Sequence, residues 1–315
     1  MSTIINIIIF IIVLLCYIHV TDQHKKSEDL EIYEMDYNTN PELQEICNLK
    51  QPITFIYDMI DDKLLSSFTN DIFFKGISEL KVKNNNDYWE NKDSIDYIIL
   101  PAETALSLFN TDKKSQYFSE NNHHLISESN NEYMFEEHNQ YLQPTMTTNT
   151  KFDIMFGSNN SITPMKYHTD YRHFVYCTKG TVKIKLTPWK SKKFLNPVHD
   201  YEEYEFRSKV NVWNHQSEYS NDYQKIKFLE FDLPKGSMLY IPPFWWHSFK
   251  FTDNACLCNF TYNSFANSIY NLPNWMLYFI QQSNIKRQVT RTHIIENPDE
   301  SIEKNEEINE EINDL

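Results

Sequence analysis

Glycine is scarce in this chain. Four occur in 315 residues, Gly76, Gly157, Gly180 and Gly236, where average usage would give about 22. The shortage excludes a Gly-rich phosphate loop, a dinucleotide fingerprint and a flexible Gly/Ser linker. Each glycine that is kept is expected where other residues adopt the backbone conformation only at a cost. Cysteine is sparse too. The five are dispersed, and only Cys256 and Cys258 lie close together, two apart on an expected strand. No second close pair of ligands completes a zinc site, so the set fits small buried hydrophobes in a reducing compartment. Positive charge is also short: 29 Lys and Arg stand against 44 Asp and Glu, a net charge of −15. That balance argues against a nucleic-acid surface. Nine acids and one base fall in residues 296–315, and 286–315 is expected to be a solvated, disordered acidic tail.

One long apolar run is present. Ile4 to Val20 is interrupted only by Asn6 and His19, and its length is at the lower limit for a spanning helix. No basic residue precedes it and no small-x-small cleavage site follows, unlike a secretory signal. Lys25 and Lys26 come just after it, which the positive-inside rule assigns to the cytosolic side. Residues 1–22 are therefore expected to be a single-pass membrane anchor through residues 4–20, with the body cytosolic. A signal sequence is the alternative. Residues 23–46 are polar and acidic and read as a tether.

From residue 47 to 285 the pattern is globular. Strand signals rich in β-branched and aromatic residues occur at Phe152–Phe156, Phe174–Thr178, Thr181–Leu186, Lys227–Phe231, Ser237–Ile241, Ser248–Phe251 and Ala255–Tyr262. Shorter runs, Pro52–Tyr57 and Tyr97–Leu100, precede them, and a helix is expected over Ala102–Asn110. Residues 111–150 look irregular. Gly157, Gly180 and Gly236 fall between strand segments and are expected in turns. A helix near Asn274–Gln282 is expected to pack inward, with a homodimer face as its alternative. The fold class is mostly β with flanking helices.

Two segments carry chemistry. In Ile162–Asp170 (ITPMKYHTD), His168 and Asp170 are two apart, so on an extended strand both project to one side. In Gly236–Phe249 (GSMLYIPPFWWHSF), His247 follows a strand, a Pro-Pro bend and two tryptophans. Two His and one carboxylate with open positions are the facial triad of non-haem Fe(II) oxygenases. Taken singly, each fragment is more often an ordinary core histidine or a chance pair. His173 lies near the pair and is a further lining candidate.

These pieces, together with YFSE at Tyr117–Glu120, FGSNNSITP at Phe156–Pro164 and KIKLTP after Gly180, resemble the cupin-like JmjC family of Fe(II)/2-oxoglutarate oxygenases. The resemblance covers roughly residues 40–278 and is most specific in LPKGSMLYIPPFWWHSF. It implies a double-stranded β-helix, with His168, Asp170 and His247 as metal ligands, Fe(II) as cofactor and 2-oxoglutarate as co-substrate. Thr163 would bind 2-oxoglutarate and Tyr117 would line the site. It further implies hydroxylation or demethylation of a protein or peptide. Two departures stand out. In the family one residue separates the Thr-Pro from the His, whereas here Met165, Lys166 and Tyr167 intervene. The lysine expected two after the turn glycine is Val182, so either a register change presents Lys183 or Lys185 to the co-substrate or that anchor is lost. A non-catalytic cupin-like binding or scaffold protein is the alternative function.

Overall fold

The computed structural model describes residues 2–284 apart from 24, 59–61, 70–72, 74–78, 90–96 and 130. Gly76 and the expected acidic tail lie outside the described residues. The N-terminal helix Ser2–Gln23 contains Thr3–Asp22, among the described residues the one helical stretch long and apolar enough to cross a membrane. Its mean hydropathy is 2.7, and none of that window is buried.

Among the described residues, thirteen strands join into one hydrogen-bonded network. The long strand Arg172–Thr187 runs antiparallel to Trp246–Ser264 along its length. On its other edge, Leu229–Pro234 lies opposite Leu186–Thr181, and Ser237–Tyr240 pairs with it through Tyr176–Phe174. Trp246–Ser264 in turn pairs with Thr147–Gly157.

Three of these neighbours bend at a common line. Gly180 (φ +69°), Gly236 (φ +84°) and the pair Asp253 and Asn254 (φ 55° and 53°) all adopt the left-handed conformation there. The Lys235 N–H donates to Gly180 O at 3.0 Å and the Gly236 N–H to Cys177 O at 2.8 Å, so adjacent strands stay bonded through the bend. The register shift after Thr252 absorbs the extra residues, as a bulge does. Gly180 and Gly236 are thus not hairpin turns, as expected from sequence. The segments on either side of Gly180 pair with the same neighbouring strand, so the chain bends without reversing.

The bend folds the sheet over on itself. Val175, Leu239 and Leu257 from one limb meet Val182, Ile184, Phe249 and Phe251 from the other in a buried interior cluster. Strand alternation sends Phe174, Tyr176, Tyr240 and Phe260 to the opposite face. There they pack with Leu43, Phe68, Phe109 and Phe135 of the flanking helices. This is the expected mostly β, helix-flanked double-stranded β-helix.

Three local expectations change. The Asn40–Cys47 helix is capped by the Thr39 side chain and buries Leu43 and Cys47, and Tyr33–Glu34 pairs with Ile53–Thr54. Much of the expected tether is therefore folded onto the domain. Residues 111–150 contain the strand Tyr117–Ser119 and three short helices, His123–Glu128, Glu132–Glu136 and Asn139–Leu142. The C-terminal helix spans Phe265–Asn284 and runs through Pro273. Its inner face mixes amides and aromatics: Asn267 and Asn271 both donate to Thr169 O, at 2.8 and 3.1 Å, and Tyr278 meets Tyr204 edge-on at 5.9 Å. Phe265, Ile269, Leu272, Met276 and Phe279 instead form an exposed stripe, so the expected core helix presents its apolar face outward.

Candidate functional site

The interior of the folded sheet is apolar on one side and polar on the other. Beyond Leu257, the inward positions are Asn259, Thr261 and Asn263, and His173 precedes Val175 on the neighbouring strand. With His247 and His168 they line an open cavity of about 880 Å³. Trp275 and Tyr278 of the C-terminal helix also line it.

Three imidazoles gather here. Ring centroids are 4.7 Å apart for His168 and His173, 5.9 Å for His168 and His247, and 6.0 Å for His173 and His247. The His168 Nε2 lies 3.0 Å from Ile241 O. A carbonyl only accepts, so Nε2 carries the proton, and the buried Nδ1 is left without a hydrogen-bond partner. That Nδ1 lies 3.7 Å from Asp170 Oδ2, and Asp170 Oδ1 accepts from Asn263 at 2.9 Å. The His247 Nδ1 sits 3.2 Å from Trp245 O and by the same reasoning donates to it. His173 Nδ1 pairs with the Thr261 hydroxyl at 3.0 Å. Burial holds all three imidazoles below the usual histidine range, His173 and His247 far below.

The residue that sequence reasoning missed is Lys166. It forms the short strand Lys166–Tyr167 and is the register partner of His247, so the two side chains share a face. Its ammonium pairs with Glu120 Oε2 and lies 3.7 Å from Glu205 Oε1. Behind them Lys83, fully buried, reaches Glu120 at 3.2 Å and Glu205 at 3.9 Å. Arg207 is 3.9 Å from Glu205 and 2.9 Å from Asp200. Burial alone would raise the Glu120 carboxyl, but Lys166 and then Lys83 outweigh it and hold it at about 2. The only sequence signal for this network is spacing. Lys166 stands two after Pro164, where the resemblance puts the first histidine ligand, and His168 follows two later.

Other expected site residues are not brought to the imidazoles. Thr163 is buried, and its hydroxyl accepts from Phe249 N–H at 2.9 Å within the strand packing. Tyr117 packs against the helical flank. Val182, Ile184 and Leu186 occupy the interior, which turns Lys183 and Lys185 outward by alternation. Lys183 lies 3.9 Å from Asp232, while Lys185 donates to Val212 O at 3.1 Å and sits 4.6 Å from the Trp213 ring. No register change presents either lysine to the cavity, because pairing from Leu186–His247 to Val182–Phe251 is unbroken.

Among the described residues, no three His, Cys, Asp or Glu side chains are grouped closely enough to hold a metal ion. His168, Asp170 and His247 share a pocket without forming a ligand set, and an ammonium lies beside His247. Of these three, the bare His168 Nδ1, directed at Asp170, has the disposition of a metal ligand. A family model described as a cupin-like domain matches residues 74–268. No curated protein matches the chain.

Proposed function

Because the chain belongs to the cupin-like domain family, we propose that it is a membrane-tethered cupin-like binding protein, with a buried lysine–glutamate network where an iron centre would otherwise be built. The observation that carries this reading is the Lys166–Glu120 pair beside His247. An ammonium held there opposes a divalent cation at short range. Removing it would leave buried Glu120 with Lys83 alone, a costly step. The open polar cavity remains, wide enough for a peptide side chain and its flanking backbone. Thr3–Asp22 serves as the tether, and Lys25 and Lys26 keep the domain on the cytosolic side.

One observation favours the second reading, an Fe(II)/2-oxoglutarate oxygenase acting on a protein. The His168 Nδ1 is buried, bare and directed toward a carboxylate, as a metal ligand would be. One experiment separates the two. The full chain in detergent, given Fe(II) and 2-oxoglutarate without oxygen, is expected to show no visible charge-transfer band, and no succinate on admission of air. A band that disappears in H168A would overturn the binding-protein reading.

A further inference from the structure

The C-terminal helix is amphipathic in the opposite sense to a helix covering a core. Phe265, Ile269, Leu272, Met276 and Phe279 follow one another at helical spacing and are 63, 39, 52, 57 and 66% exposed. The domain-facing side is held by amide hydrogen bonds and by the rings of Tyr270 and Tyr278. Besides the two asparagine bonds to Thr169, Gln282 donates to Glu202 O at 2.7 Å. A contiguous apolar stripe of this length marks a surface that meets something other than water.

What it meets is indicated by its neighbours. Tyr270 of the same helix stacks edge-on to Phe244 at 5.9 Å, and Phe244 to Trp189 at 5.3 Å. Lys26, a few residues after the N-terminal helix, lies 4.0 Å from the Trp189 ring and 4.3 Å from that of Phe244. Lys192 sits 4.6 Å from Trp189, and Lys193 is 4.8 Å from Phe194. Lys190 donates to Glu28 O. The exit of the apolar N-terminal helix is thus joined, contact by contact, to a lysine cluster (Lys26, Lys190, Lys192 and Lys193) and to the outward-facing helix. Asp22, Glu28 and Asp29 offset the cluster only in part, and the whole chain is acidic. Burial and then the charge of Lys192 hold the Lys26 ammonium below its usual range, with Glu28 opposing them only in part.

We propose that this helix and the lysines around Trp189 form a docking face for an anionic bilayer, the same membrane that the N-terminal helix enters. The inference rests on the tether described above. The apolar stripe lies at the acyl boundary as an interfacial helix does, and the lysines meet anionic headgroups.

The test uses the full chain carrying C16S, in vesicles of phosphatidylcholine with or without phosphatidylserine. The other four cysteines are buried. A fluorophore is placed through F10C in the tether or M276C in the stripe, and quenching by nitroxide-labelled lipid is read. Both positions are expected to be quenched. Replacing Lys190, Lys192 and Lys193 by Gln is expected to lower quenching at 276 on anionic vesicles to the level on neutral ones, with position 10 unchanged. Quenching at 10 without quenching at 276 overturns the docking face and leaves the tether standing. Loss at both positions removes the tether and the docking face with it. A 276 probe shielded from lipid in a species of twice the mass also overturns the inference, because the stripe then joins two copies.

Discussion

Lys166 and His247 face each other across antiparallel strands, as direct register partners. The backbone thus holds an ammonium and an imidazole side by side at the wall of the cavity, and the ammonium is neutralised from behind by Glu120. The pocket's chemistry follows from this pair more than from the His168–Asp170 spacing.

If Lys166 is what keeps a metal out, K166H is expected to admit one. The new imidazole would stand beside His247 and near His168. Co(II) titration followed by visible absorption checks this. The unaltered chain is expected to give only the spectrum of free Co(II), and the variant a bound-metal band. Identical spectra for the two chains would show that Lys166 does not decide metal binding.

The same pair has a stability signature. Glu120 is fully buried and is held by two lysines. E120A leaves both ammonium groups only the longer contacts to Glu205, at 3.9 and 3.7 Å, and is expected to cost about 3–5 kcal/mol. K166M strands part of the Glu120 charge and also destabilises. The double variant E120A/K166M is expected to lose less than the sum of the two, with a coupling of about 1–3 kcal/mol in urea denaturation. Strict additivity would mean that the pair does not act as a unit.

The bend glycines should differ from one another. A Cβ at Gly180 would lie 2.8 Å from Asp253 O and 2.9 Å from Ala255 Cα, both backbone atoms that cannot swing away. At Gly236 a Cβ meets nothing within 4 Å. Both sites have positive φ, so each alanine carries about 1–2 kcal/mol of left-handed strain. G236A is expected to cost only that, while G180A costs more because the neighbouring strand must shift. Urea midpoints decide it, and equal losses would contradict the shared bend line.

Much of this fold is legible in the sequence because its strands alternate. Val182, Ile184 and Leu186 against Lys183 and Lys185 already fix which side faces inward, and the structure keeps that register. The bends are not legible, because a left-handed glycine reads alike in a hairpin and in a strand that bends without reversing. The periodicity of the C-terminal helix shows that it is amphipathic but not which face meets the domain. That depends on Thr169, whose carbonyl Asn267 and Asn271 satisfy from 98 and 102 residues away. The role of Lys166 is hidden for the same reason. Its partners Glu120 and Glu205 reach it only through long-range strand pairing, while the intact H-x-D spelling draws attention two residues downstream.

Asp153 supplies a pH test independent of any ligand. It is half-buried at the cavity wall, and its carboxylate accepts from the Asn122 and Asn121 N–H groups at 2.6 and 2.9 Å. Burial raises its pKa to about 6 despite those bonds, with Glu120 adding in the same direction. An unfolded aspartate titrates near 3.9. Between these values the folded chain holds a proton that the unfolded chain has lost, so stability from this group is complete below about pH 4 and lost as pH rises through about 6. The gap of about two pKa units corresponds to roughly 3 kcal/mol at most. D153N cannot titrate, so the stability difference between the unaltered chain and this variant should fall across pH 4 to 6 and level off above. Urea unfolding of both chains at several pH values measures it. A flat or rising difference would mean that Asp153 is already ionised in the folded state at low pH.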